Sequence, residues 1–460
     1  MEKIKYSQEI EQRHVTYFEE NIVPKIEQLY EVENYIFKKT YTVKKIYTDK
    51  KTYSAKKRYN FKKNGLNDHR RFIYYCLKNY KLLAIGNVNG TYLSNESNIK
   101  KKHENAFKKY RIEEKKTLKK FYDYAEENYK AVIDRIEDDT EYKNLFEKAF
   151  GYSSFTTGSL FEFIKQSVVK KGGRVSEDRI EKIIDQYIKL FSPKFAKDEL
   201  EDFTESMCEI KEEYKKVSGD SAEIKRLFLE REKKWNLYID LLNYNGEILK
   251  NVWNPYALVL ESGVKTCFYC NRHYITPLLS SDGRFRATLD HFLPKSKYPY
   301  FSMTLYNLVP SCTVCNSSLK GSKEFDFEDI NPLEINLDSC FNFILELGIS
   351  KNHQVELSID KHFLGKNKKK EKSMDKMLKL FKIKEQYNLH QRDIEKILLK
   401  KYVYNENYLK DLEKKLKDKI ENLDKVQSLN DEPLSKFKKD IEKGFSDSEE
   451  FKKIEEYLMR

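Results

Sequence analysis

Apolar residues recur at three- and four-residue spacing through much of the first 250 positions. KKTLKKFYDYAEENYKAVIDRIEDD and SEDRIEKIIDQYIKLF each put these residues on one face and charges on the other, the pattern of an amphipathic helix. Ser176 stands at the start of the second as a cap without the Glu or Gln of a capping box. Gly172-Gly173 just before it marks a break. LLAIGNVNGTYLSNESN has turn chemistry at Asn89-Gly90 and reads as a loop or small hairpin. Beyond residue 325 the apolar runs FNFILELGI and VELSI predict strands, and Lys366 to Lys372 predicts a basic linker or exposed helix start. The chain then reads as helical again, and Leu409, Leu412, Leu416, Ile420 and Leu423 form a stripe suited to packing in a bundle.

Between these helical parts the texture changes. From Trp253 to Phe325 there are only eight Lys/Arg and four Asp/Glu, although charged residues make up 35% of the whole chain. Six of the nine prolines fall between Pro255 and Pro332, and four of the seven cysteines lie in the same stretch. Three regions are therefore expected: a helical N-terminal regulatory or partner-binding region over 1–250, a compact module over 251–335, and a mixed, then helical, extension over 336–460. The fold class expected is mainly α with an embedded small α+β module. At 39% hydrophobic residues the chain can bury a core. It has no run approaching eighteen apolar residues, so no membrane partner is expected. The charged start, MEKIKYSQEIEQRHVTYFEE, has no apolar signal region, and a cytoplasmic location is expected. The net charge of +13 favours polyanionic partners only weakly, because acids and bases are mixed along most of the length.

The low-charge stretch is framed by Cys267-x-x-Cys270 and Cys312-x-x-Cys315, with 41 residues between the pairs. A CxxC turn offers two thiolates to one metal, and two such knuckles complete a tetrahedral Cys₄ site of the structural zinc type. Cys76, Cys208 and Cys340 lack local partners and read as ordinary buried thiols. His273 is expected at the surface or in packing, since four cysteines already fill a tetrahedron. Inside the frame, Asp282-Gly283 is a turn between the strand-like runs ITPLL and RFRATL. The second run delivers Asp290-His291; Asn307, a short apolar run and Cys312-x-x-Cys315-Asn316 at a helix start follow.

Asp290-His291 with Pro294, Lys295 and Ser296, then Asn307 within NLVPSC, then CTVCN with Lys320-Gly321 nearby, resemble the HNH endonuclease family. The resemblance implies a ββα-metal fold and metal-dependent phosphodiester hydrolysis. It also assigns roles: His291 the general base, Asp290 and Asn316 ligands of a catalytic Mg²⁺ or Mn²⁺, and Asn307 a brace for the loop that orients His291. Asn316 stands where the eponymous pattern has histidine, and the spacing to Lys320 is wider than in many relatives, so the resemblance itself carries no role over to Lys320. The chemistry suits these residue types: imidazole can take a proton from water near neutral pH, and carboxylate and amide oxygens suit a hard divalent ion. Arg284, Arg286, Lys295, Lys297, Lys320 and Lys323 surround the proposed site and are expected to neutralise nucleic-acid phosphates.

WNPYALVLESGVKTCFYCNRHYI and LFKIKEQYNLHQRDIEKILLKKYVY extend the likeness to HNH proteins of bacterial anti-phage defence loci, such as the HNH subunit of Septu, whose partner is an ATPase. DNA is the expected substrate. The alternatives are a ribonuclease cutting tRNA or another structured RNA, and a non-catalytic zinc-containing scaffold or nucleic-acid-binding subunit.

Overall fold

The computed structural model describes residues 6–29, 63–86, 117–155, 160–168, 176–216, 221–240, 253–280, 284–285, 287–346, 353–403 and 433–447. The Asn89-Gly90 turn, Gly172-Gly173, Arg286 and the 409–423 stripe lie outside them. The described chain is mostly helical, as its periodicity predicts, and among these residues no helix is long and apolar enough to cross a membrane.

The N-terminal part contains α1 (Gln8–Asn21), α2 (Lys63–Lys78), α3 (Tyr80–Ile85), α4 (Leu118–Asp138), α5 (Thr140–Phe150), α6 (Tyr152–Phe155), α7 (Leu160–Val168), α8 (Glu177–Phe191), α9 (Lys197–Lys216) and α10 (Ser221–Lys234). Local chemistry sets the boundaries that matter for the site. Thr117 caps α4 by accepting from the Lys120 amide, and Asp139 caps α5 by accepting from the Tyr142 amide. Gly151, at φ 65°, ends α5 in the left-handed conformation and launches α6 at once. Ser176 flanks α8 without a side-chain capping bond.

The central part begins with β1 (Tyr238–Asp240) and α11 (Pro255–Glu261), followed by β2 (Leu278–Ser280), β3 (Arg284–Phe285), β4 (Thr288–His291) and β5 (Leu308–Ser311). The run RFRATL, expected as one strand, is divided between two sheets. Its start pairs with β2, the expected Asp282-Gly283 turn lying outside the described residues, and β1 takes the other edge of β2. Its end enters β4, which pairs antiparallel with β5 so that Asp290 faces Val309 and His291 faces Leu308. The division follows from this pairing, since β4 finds its partner beyond the intervening loop. A π-helix, Val314–Lys320, follows β5 directly. The C-terminal part has the hairpin β6 (Phe341–Glu346) and β7 (Gln354–Ile359), then α12 (Lys368–Leu380), α13 (Ile383–Asn388), α14 (Gln391–Val403) and α15 (Ser435–Asp447).

Hydrophobic burial divides the molecule differently from composition. One continuous core contains buried residues of α1 to α6 together with buried residues of the central and C-terminal parts, from Leu258 to Ile441. A second core gathers α7 to α10, Leu237 and Tyr256. The texture change near residue 250 thus coincides with no gap in the first core. The segment 292–307 between β4 and β5 lies in the middle of it. Tyr300 packs on Phe72 and Phe121, Phe301 on Phe121, and Tyr298 on Tyr122. Polar contacts repeat the grip: Thr304 donates to the Leu83 carbonyl and Tyr306 to Glu11.

His14 on α1 completes this clamp. Its Nε2 lies 2.7 Å from the Met303 carbonyl, and its Nδ1 accepts from the Trp253 indole at 3.1 Å. A carbonyl only accepts, so Nε2 carries the proton and the neutral ring is fully satisfied. Burial lowers its pKa from 6.5 to about 4, opposed by the Met303 bond. A base with a depressed folded-state pKa contributes stability above its unfolded value and loses it as pH falls towards the folded value. Relative to a His14→Gln variant, the parent should therefore lose about 3 kcal/mol of stability between pH 6.5 and 4. Urea denaturation of both proteins across that window tests this; parallel pH curves would refute it.

Candidate functional site

The four cysteines of the two knuckles come together. All four are buried, and their sulfurs lie within 4.8 Å of one another, the one such cluster of three or more His, Cys or carboxylate ligands among the described residues. A tetrahedral zinc site with Zn–S of about 2.3 Å has S···S edges of about 3.8 Å, and the Cys270 and Cys312 sulfurs are 4.0 Å apart. The donor set and its size fit a structural metal such as zinc. Burial pushes the Cys267 thiol up, while contacts from Cys267, Cys312 and Cys315 draw the Cys270 thiol far down. Backbone amides already point at the sulfurs: Cys312 N–H donates to Cys267 Sγ at 3.2 Å and Cys315 N–H to Cys312 Sγ at 3.4 Å. His273 Nδ1 is 3.7 Å from Cys270 Sγ, placing this histidine beside the cluster. Of the remaining cysteines, Cys76 and Cys340 are buried as expected, whereas Cys208 on α9 is exposed.

The first knuckle is held from the C-terminal part. Asn271 adopts φ 51°, a left-handed turn that aims its carbonyl at the Leu434 amide and its side chain at Ser435. Tyr387 donates to the Cys270 carbonyl at 2.6 Å, and Arg272 donates to His390 and Gln386. Inside the knuckle, Tyr269 stacks on Phe381 and donates to Asp290 Oδ2 at 2.6 Å.

Asp290 is the centre of a closed arrangement. Both of its oxygens lie 2.7 Å from Lys320 Nζ, and the same ammonium donates to the His291 carbonyl at 2.7 Å. Lys320 is 4% and Asp290 5% exposed. Burial pulls the Lys320 ammonium below its usual range, opposed by Asp290 and Glu324. Lys320, expected to meet phosphate, therefore points inward, because its charge is satisfied by the buried carboxylate. An ionised carboxylate has about four lone-pair positions, and Lys320 and Tyr269 take three of them. Asn316 sits one turn before Lys320 on the π-helix, half-buried, and its side-chain amide has no hydrogen bond among the described residues. Carboxylate and amide oxygens suit a hard cation, and the Lys320 ammonium takes both Asp290 oxygens, so a divalent ion there would have to displace it.

His291 faces the other way along β4, as successive strand residues do. Its Nε2 is 2.9 Å from the Ser302 carbonyl, which fixes the proton there and leaves Nδ1 as acceptor. The ring packs edge-on against Tyr152, with centroids 4.4 Å apart. Burial lowers its pKa to about 3, helped by the charges of Lys295 and Lys320 and opposed by the Ser302 bond, so the ring is neutral at physiological pH. Asn307 is fully buried and ties the loop together. Its Oδ1 accepts from the Leu293 amide, and its Nδ2 donates to the Leu293 and Phe301 carbonyls. It thus fixes the residue before Ser302 rather than touching His291.

The other basic candidates scatter. Lys295 is exposed, with its ammonium over the Tyr152 ring; Lys297 is 4.0 Å from Glu137; Lys323 is exposed and donates to the Leu319 carbonyl. Arg284 begins β3, and Arg286 is outside the described residues. Two contacting residues went unread in the sequence. Tyr269 could have been found, since it lies between the two cysteines of a knuckle; Tyr152 lies far upstream in a helical segment and carried no signal.

The knuckle geometry predicts one tightly held metal ion per chain, zinc by its thiolate chemistry. Cys315→Ser should lose it and unfold at markedly lower urea, because a structural site contributes its binding energy to folding. Elemental analysis with urea titration decides; a metal-free parent of equal stability would contradict the prediction. Comparison with protein-family models, curated proteins and solved structures finds no match to this chain.

Proposed function

We propose that this chain is a metal-dependent endonuclease of the HNH type that hydrolyses phosphodiester bonds, with DNA as substrate. The observation that carries the reading is the His291 ring. It lies at the end of β4, its Nε2–H is committed to the Ser302 carbonyl, and its Nδ1 is a neutral acceptor. That is the state a general base needs in order to take a proton from an attacking water. A folded-state pKa of about 3 makes a weak base, but the negative charge of a phosphodiester beside the ring favours its protonated form. Asn307 and Tyr152 hold the loop and the ring so that the acceptor keeps one direction. The strand–loop–strand–helix order of β4, β5 and the π-helix, with the Cys₄ cluster beneath, supports the same reading.

A divalent ion held by Asp290 and Asn316 would supply charge stabilisation at the phosphate. Its binding requires Lys320 to leave Asp290. A role in anti-phage defence and an ATPase or sensor partner are carried by the sequence resemblance alone.

The closed Asp290–Lys320 pair favours one second reading, a zinc-supported nucleic-acid-binding module without hydrolysis.

Two variants separate these readings. His291→Ala should reduce cleavage of plasmid in Mg²⁺ or Mn²⁺ by roughly 10²–10⁴-fold while leaving the fold intact. Cleavage at the parent rate would remove His291 from the chemistry, and a parent inactive on both plasmid and tRNA would favour the binding module. Lys320→Met should raise the Mn²⁺ affinity of the whole chain by about tenfold or more, since the competing ammonium is gone. Isothermal titration with Mn²⁺ alone measures this, and unchanged affinity would show that Lys320 does not compete.

A further inference from the structure

A pocket of about 140 Å³ opens beside His291, lined by Asn144, Glu147 and Lys148 of α5, Tyr152 of α6, and Lys295 and Ser302 of the loop between β4 and β5. Two of these residues are the partners of His291 itself: the Tyr152 ring and the Ser302 carbonyl. Ser302 is 1% exposed, and its hydroxyl has no hydrogen-bond partner. A buried hydroxyl left unpaired is unfavourable, so a ligand acceptor that met it would recover that loss. The lining adds two ammonium groups and an amide against one carboxylate, Glu147. Its excess of donors and single net positive charge match a group that only accepts and carries one negative charge.

We propose that this pocket binds an internal phosphodiester of the nucleic-acid strand, next to the phosphate addressed by His291, so that the N-terminal helices form one wall of the substrate cleft. This rests on the nuclease reading for the position of the scissile bond, while the binding site itself can be tested without cleavage. Lys148 and Lys295 approach the phosphate from opposite walls, one from α5 and one from the loop. The Ser302 hydroxyl, buried without a partner in the free protein, would have to turn towards the phosphate to donate its hydrogen. Lys295, with its ammonium 5.4 Å from the Tyr152 ring centroid, is already drawn towards the pocket. Glu147 limits the charge the pocket accepts and disfavours a doubly charged terminal phosphate.

The experiment uses the full chain carrying His291→Ala, with a fluorescent DNA duplex and a fluorescent RNA hairpin as probes, and reads anisotropy across a salt series. Adding Lys148→Glu or Lys295→Glu should weaken binding by roughly tenfold or more and reduce the slope of log affinity against log salt by about 0.7–0.9, one phosphate contact. Adding Ser302→Ala should weaken binding by roughly threefold to tenfold, the loss of one hydrogen bond. Lys182→Glu, at an exposed lysine of α8 whose helix packs in the second core, controls for net charge and should change little. Loss on either probe with an unchanged slope for the control supports the site and shows which polymer it takes. Lys148→Glu and Lys295→Glu indistinguishable from Lys182→Glu, or no binding by the starting protein, would overturn it. A His291→Ala protein that still cleaves would refute the catalytic role and leave the binding readout to stand or fall alone.

Discussion

The buried ion pair between Lys320 and Asp290 is the constraint around which the central module is arranged. Both groups are almost wholly withdrawn from water, and leaving either partner alone there costs about 3–5 kcal/mol. The π-helix must therefore dock where Lys320 reaches β4. The same carboxylate receives Tyr269 from the first knuckle, while Lys320 follows the second knuckle by five residues. Asp290 thus couples both halves of the Cys₄ frame.

The helix that carries Lys320 is wound to suit. Gly321 N–H donates to the Asn316 carbonyl, a five-residue step, which is the spacing of a π-turn. Such a turn takes up one residue more than an α-turn would. It brings Lys320 over Asn316, so the ammonium and the unpaired amide lie on one face. The wider spacing between Asn316 and the Lys-Gly pair, odd in the sequence, is absorbed by winding rather than by a loop.

Local signals were legible and long-range ones were not. Periodicity located α4 and α8, the chain beyond Lys372 is helical as expected, and the apolar runs after residue 325 became β6 and β7. The CxxC knuckles converge because each pair is set by a local turn and the frame has few other ways to bury four thiols. RFRATL was harder: six residues of strand-like composition cannot say that they serve two sheets, since pairing is decided by partners elsewhere. Lys320 looked like surface charge because nothing local to it reveals a buried carboxylate thirty residues upstream. Tyr152, Lys148 and His14 were silent for the same reason. Each sits on an ordinary helix face, and only packing against the loop gives it meaning.

That packing changes what the N-terminal part can be. A regulatory region over 1–250 that swings away from the site would have to expose Phe72 and Phe121 together with Tyr300 and Phe301. It would also break the His14, Thr304 and Tyr306 bonds to the loop. Ser302, which orients His291, lies within that loop, so detachment would disorganise the site rather than release it. The helices α7 to α10 are placed differently: with Leu237 and Tyr256 they form a core of their own. If the site is restrained by a domain, movement of the second core would leave the first one closed, whereas α1 to α6 pack around the loop that holds His291.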